Sequence, residues 1–274
     1  MRSPGRWTAA CRVRGSRGMS ASPTGDATSS RRGPQRAVTA PVACPPPSPT
    51  LPMSAVIPAD TLHAARCANR LAASALAIFF AAAVVLHGLR PDLDPVASQM
   101  SLYLIGAWGP LLQAAYVALA VGMVALGWGL RAAHAPQARS AAALLLFALA
   151  GVSLTVTAYA WMDLPGVDRS FEGFVHGLSA TAAFLCATTG MVVQSLGFLR
   201  DPAWRRSARW ALPGALLCFA SVWILAAWRE APRGLAQKTV IAMILLWMLC
   251  AVRALASRTR FTRPALRATE TSGH

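Results

Sequence analysis

Charge is what this chain has least of. Asp, Glu, Lys and Arg make up 13% of its 274 residues, where a soluble domain carries about 25%. With 55% hydrophobic residues, that shortage excludes an ordinary water-soluble domain and puts the chain in the membrane class. The cysteines, Cys11, Cys44, Cys67, Cys186, Cys218 and Cys250, show no CxxC spacing, which excludes a zinc ribbon and a disulfide scaffold. Gly122, Gly127 and Gly129 lie in an apolar run without the Lys-Ser/Thr end that a phosphate loop needs. No internal repeat is visible and no hydrophobic run is interrupted at its middle, so the signature of a broken-helix transporter is missing. The runs themselves are nearly free of charge, which argues against a pump.

The charge that is present is lopsided. The formal net charge is +16, and the basic residues are almost all arginine, set between or outside the apolar runs. A membrane surface explains that placement better than nucleic acid, because no folded module is there to make a nucleic-acid contact specific. Residues 1–60 are rich in Arg, Pro, Ser, Gly and Ala, with no apolar periodicity, and read as a disordered tail. Its arginines can hold anionic lipid headgroups at about 1 kcal/mol each near the surface. The Arg31–Arg32 pair and Cys44 invite a twin-arginine or a lipoprotein reading, but the apolar core of about 7–15 residues that a signal requires does not accompany either. Translation from Met19 or Met53 in place of Met1 is an alternative, Met53 making a natural amino terminus for the first span. Residues 257–274 read as a basic, polar carboxyl tail.

What is abundant is long apolar runs. A helix needs about 20 mostly apolar residues to cross the hydrocarbon core, and six runs reach that length: 71–89, 110–130, 140–162, 174–199, 210–228 and 239–256. The expected fold is all-α, a polytopic transmembrane bundle of six spans over residues 61–256 in contact with the lipid bilayer. Ala and Gly are frequent in the runs, and small residues let helices approach closely. Pro110 and Pro213 fall in the first turns of their runs, where a missing N–H costs least. Arg131, Arg139, Arg200, Arg205, Arg206, Arg209 and Arg253 mark one set of loops, while Asp92, Asp94, Asp163, Asp168, Glu172 and Glu230 mark the other. The positive-inside rule then puts both termini in the cytoplasm, in the inner membrane of the cell.

Polar residues gather at the outer level of that topology. The turn WMDLPGVDRSFEGFVH, residues 161–176, places Asp163 and His176 together, with His87 at the end of the first span and Gln237 at the start of the sixth. Asp94, Ser101 and Tyr103 of the first outer loop complete the candidate pocket. Ionisable residues beside transmembrane segments usually face the bundle interior or a water-filled cavity, which makes these candidates for function. His87, Asp163 and His176 form the right ligand count for a divalent metal such as zinc that activates water, although no two stand in an HExxH pair. The alternative is a non-catalytic bundle in which Asp163 and His176 hydrogen-bond and switch charge near neutral pH. The first outer loop, with Val96, Met100, Tyr103 and Leu104 at helical spacing, reads equally as an interfacial amphipathic helix or a solvated loop. His63 and His134 read as solvated cytoplasmic residues, and His274 as part of a polar tail.

The chain resembles domain-of-unknown-function family 998, prokaryotic integral membrane proteins of about six helices. The resemblance rests on LHGLRPDLDPV at 86–96, SLYLIGAWG at 101–109, Asp163 followed by Gly173 and His176, and GLAQK at 234–238. Members tend to show a Ser-acid-Tyr triplet where this chain has Ser101, Leu102 and Tyr103, and Arg where it has Lys238. The resemblance implies a fold and a location, and the family has no settled activity. The expectation for function is therefore a binding, accessory or structural membrane protein with a small-molecule or lipid ligand. A metal-dependent hydrolase and a small-molecule transporter are the alternatives.

Overall fold

A computed structural model of the chain describes residues 58–164, 166–228 and 230–271. The expected disordered tail, its lipid-holding arginines, the alternative starts and His274 lie outside the described residues, apart from the tail's last three positions. Six helices carry the fold: α1 (Ala59–Leu89), α2 (Gly109–Ala133), α3 (Ala141–Tyr159), α4 (Phe171–Arg200), α5 (Arg205–Ala227) and α6 (Arg233–Thr271). Short 3-10 turns occupy Met100–Leu104, Pro136–Ala138 and Pro202–Trp204. The described residues contain no strand. All six helices are long and apolar enough to cross a membrane, so the all-α six-span architecture expected from hydropathy is the architecture observed.

Helix ends depart from the hydropathy boundaries where polar sequence still favours a helix. The first helix begins at Ala59, well before residue 71, because residues 59–70 contain no Gly or Pro to stop it. The last runs on past residue 256 to Thr271, so most of the expected carboxyl tail continues the helix. The two extensions are tied together by Arg66, whose guanidinium donates to the Thr259 carbonyl at 3.0 and 3.3 Å. Pro213 was expected in a first turn but lies inside α5, since that helix starts at Arg205.

The helices pack in chain order around a ring, each against the next, and α6 closes the ring on α1 while also touching α2. Small residues set the spacing. A Cβ at Gly122 would lie 2.5 Å from the Ala75 Cβ, and one at Gly151 would press on the Ala120 backbone. Such close approach supplies dispersion contact where lipid removes the hydrophobic drive between helices. The outward faces are apolar: Phe80 is 65% exposed, Val152 64%, Leu217 61% and Leu246 60%. Large apolar side chains exposed along six helices of span length make this a multi-pass membrane protein in lipid contact.

One end of the bundle holds the loops at 90–108, 160–170 and 228–232, together with His87, Asp163 and Gln237. We call it the distal end. The other, the basic end, holds the start of α1, the loops at 134–140 and 201–204, and the arginines of α5 and of the later half of α6.

Candidate functional site

The distal end is roofed by the first loop, and arginine and aspartate hold that loop in shape. Arg90 donates three bonds to Asp92, at 2.8, 3.1 and 2.7 Å, and a fourth to the Ile105 carbonyl, tying the start of the loop to its end. The Arg90 bonds hold the Asp92 carboxyl below its ordinary value. Asp94 accepts from the Val96 and Ala97 amides at 2.7 and 3.3 Å, forming an Asx turn. The carbonyls of Ala97 and Val96 then accept from Gly234 and Leu235, at 3.1 and 2.8 Å. These are first-turn amides of α6 that have no intrahelical partner. Gly234 is glycine because the Ser98 carbonyl sits where its Cβ would be.

Gln237 and Lys238 complete the join. The Gln237 side-chain carbonyl accepts from the Met100 amide at 2.8 Å. Lys238 donates to the Pro95 carbonyl at 2.8 Å and stands 5.0 Å above the Tyr103 ring. Tyr103 is fully buried, its ring 4.8 Å from that of His87, and its hydroxyl meets no hydrogen-bond partner among the described residues. Burial pushes the Tyr103 phenol up, against a smaller opposing pull from Arg90. Met100, Ser101, Tyr103 and Leu104 are all buried in a 3-10 turn. Residues 100–104 are therefore neither an interfacial amphipathic helix nor a solvated loop, because Gln237 and the α6 terminus draw them inward, while Asp94 to Ala97 stay exposed.

The turn at 161–176 is also a capping device. Ser170 is the N-cap of α4 and accepts from the Gly173 amide at 2.9 Å. Asp163 in turn accepts from the Ser170 hydroxyl at 2.6 Å and from its amide at 3.2 Å. The carboxylate occupies the space a Cβ at Gly173 would need, near the positive end of the helix dipole. Glu172 accepts from the Trp161 amide at 2.9 Å. His176, buried, pairs through Nδ1 with the Ala160 carbonyl at 2.7 Å. Together these groups staple the end of α3 to the start of α4.

The expected Asp163–His176 pair is therefore not formed, since each side chain is bonded elsewhere. The expected metal triad of His87, Asp163 and His176 is not assembled either. His87 pairs through Nδ1 with the Ala83 carbonyl at 2.6 Å on α1, a helix whose packing neighbours are α2 and α6, not α4. Among the described residues no three His, Cys, Asp or Glu side chains converge to hold a metal ion.

Beneath the roof lies a narrow pocket of about 60 Å³ between α1, α2, α3, α4 and α6. Four of its lining residues are polar, Ser101, Tyr116, Thr157 and Gln237, and all lie toward the distal end. Ser101 interacts with the Tyr116 hydroxyl. Thr157 shares a 2.8 Å bond with Ser179, which donates to the His176 carbonyl at 3.1 Å. The Gln237 side-chain nitrogen has no protein partner among the described residues. Below this level the walls are apolar, including Met123, Ala187, Ile244 and Leu245. Tyr116 to Met123 and Gln237 to Leu245 each span two helical turns, about 10–12 Å of depth. Ser101 and Gln237 of the predicted set line this pocket; His87, Asp94, Tyr103, Asp163 and His176 build its roof and rim. Sequence reasoning missed Tyr116 and Thr157, whose only signal is a hydroxyl inside an apolar run.

The basic end contains a residue misread from sequence. His134 is 1% exposed, not solvated, whereas His63 is exposed as expected. Its Nδ1 pairs with the Leu130 carbonyl at 2.6 Å, and its ring stacks within 5° of Trp204 and Phe198, at 4.8 and 5.4 Å. Asp201 fixes the same corner, accepting from the Ala135 and Ala203 amides, both at 3.0 Å. Burial lowers the His134 pKa, with Arg258 and Arg139 acting the same way and the Leu130 bond and Asp201 opposing.

Two outcomes follow for stability in detergent. Asp163→Ala removes the support of the Ser170 cap and lowers unfolding stability by about 1 kcal/mol. Ser170→Ala has a similar effect, and chemical denaturation of the double variant shows less than the sum because the bonds are shared. For His134, the unfolded chain binds a proton near pH 6.5 while the folded one resists it. Stability is thus complete above that pH and falls as the pH drops below it, by at most about 1.4 kcal/mol per pH unit. His134→Asn, which retains a donor for Leu130, flattens the profile of melting temperature between pH 7 and pH 5; an unchanged profile would contradict this assignment.

Among curated proteins and among solved structures, nothing matches the chain. Residues 73–254, from α1 through most of α6, match the family described as a protein of unknown function, DUF998. That match covers the roof, both capping motifs and the pocket, and the chain belongs to this DUF998 family of unknown function.

Proposed function

We propose that this protein is a non-catalytic membrane binding protein that binds one amphiphile, its small polar head seated in the narrow pocket beneath the distal roof. The observation that carries the reading is the segregation of the lining. Ser101, Tyr116, Thr157 and Gln237 lie at one level and apolar side chains lie below them. Binding sites for small molecules have this character, mostly apolar walls with a few placed polar groups. Uncharged hydroxyls and an amide suit a neutral or zwitterionic head, such as an alcohol, ester or amide, better than a free carboxylate. The hydrolase alternative loses its support because His87, Asp163 and His176 do not converge on one point. The transporter alternative lacks the paired half-helices that would point at a substrate near the midplane.

The arginine distribution supports an inner-membrane orientation with the basic end and both termini in the cytoplasm, and the pocket toward the outer leaflet. Trp108, Trp161 and Trp228 at the distal end and Trp128 and Trp210 at the basic end fit the two interfacial belts.

The binding reading is checked by extracting lipid from protein purified in mild detergent and weighing it by mass spectrometry. About one amphiphile per chain is expected in the wild type. In Ala183→Trp, which fills the pocket, retention falls at least about tenfold, and Gln237→Leu weakens retention by up to about tenfold through one lost hydrogen bond. Equal retention in wild type and Ala183→Trp would sink the reading. Orientation is checked separately by single cysteines in a chain whose native cysteines are replaced. Asp168→Cys is expected to react with an impermeant maleimide in intact cells, and Arg206→Cys only after permeabilisation; the reverse pattern inverts the topology.

A further inference from the structure

The basic end carries a second cleft, unrelated to the distal pocket, between the first turns of α5 and the cytoplasm-proximal part of α6. It is a wide groove of about 860 Å³ lined by Arg206 and Arg209 from α5 and by Arg253 and Arg258 from α6. Trp204 and Trp210 form its walls, with Ser207 and Ser257 between the arginines. We propose that this groove is a specific site for the phosphodiester headgroup of an anionic phospholipid.

Three observations carry the proposal. Among the described residues no Asp or Glu lines the groove, and the nearest acid in sequence, Asp201, has its two oxygens occupied by the Ala135 and Ala203 amides. Arg206, Arg209 and Arg253 are exposed, so several guanidiniums face one cleft without a lining carboxylate. Guanidinium is the group best matched to phosphate, since its fork donates two parallel bonds to two oxygens. The start of α5 adds the positive end of its dipole to the same place.

The shape of the groove favours a lipid over free phosphate. Along α6 the lining passes from Ser257 and Arg258 through Ala254 to Cys250, about 10 Å nearer the membrane interior. Trp210 also lines the groove, its ring 6.2 Å from that of Trp247 on α6, and beyond it the outward face of α5 is apolar, with Leu216 50% and Leu217 61% exposed. A ligand here meets cationic side chains at one end and a greasy surface at the other, the profile of a phospholipid seated at the interface.

The test uses the full chain, delipidated in neutral detergent, titrated with phosphatidylglycerol or phosphatidylcholine and read by native mass spectrometry. The expected result is preferential retention of phosphatidylglycerol by the wild type. In Arg206→Gln/Arg253→Gln that retention weakens at least about tenfold, on the scale of two charge-assisted contacts. In the charge-matched control Arg70→Gln/Arg200→Gln it changes by less than about twofold. Melting temperature in phosphatidylcholine, unchanged in both variants, separates loss of binding from loss of fold. Equal weakening in groove and control variants would overturn the proposal, because the charge then acts diffusely. Displacement of the lipid by an equal concentration of inorganic phosphate would overturn the lipid assignment and give the groove to a soluble phosphate.

Discussion

The distal face depends on one requirement, that the first amides of α6 find acceptors where no preceding turn exists to supply them. The carbonyls of Val96 and Ala97 meet it, and the rest of the roof follows. Those carbonyls can reach Gly234 and Leu235 because Asp94 folds the chain into an Asx turn, and because Arg90 draws Asp92 and Ile105 together. Gly234 must lack a side chain to let the Ser98 carbonyl in. Gln237 and Lys238 fasten the next stretch of loop from the α6 side. The motifs LHGLRPDLDPV and GLAQK are thus two halves of one joint.

The same logic governs the α3–α4 turn, and it explains why the acidic and histidine residues chosen from sequence do not form a reactive centre. Asp163 supports an N-cap, Glu172 and His176 take up the last groups of the α3 end, and His87 is bonded within its own helix. These groups are costly near a membrane, but their cost is met by backbone partners. The polar groups that do face a cavity are neutral hydroxyls and an amide.

Hydropathy made the six spans legible, because lipid leaves the backbone few alternatives to a helix. The helix ends were less legible at Ala59 and Thr271, since a helix outside lipid is limited by its own propensity and by contacts such as Arg66 with Thr259. The site was legible in part. Gln237 and Ser101 could be singled out as polar residues beside spans, whereas Tyr116 and Thr157 are inconspicuous among apolar neighbours and become a set only when three helices meet. His134 was misread because loop position suggests water, and only the fold brings Trp204 and Phe198 onto its ring. Conversely, the Arg-rich loops revealed a charge asymmetry, but not that Arg206 and Arg253 would face one cleft.

The joint between the first loop and α6 also orders events during synthesis. Its partners are far apart in the chain, Met100 and Gln237 being 137 residues distant. A ribosome delivers the loop long before the helix that receives it. Until α6 inserts, the Val96 and Ala97 carbonyls have no amides to bind, and the pocket lacks the wall that carries Gln237 and Leu245. The cavity therefore closes only when α6 packs against the five helices made before it.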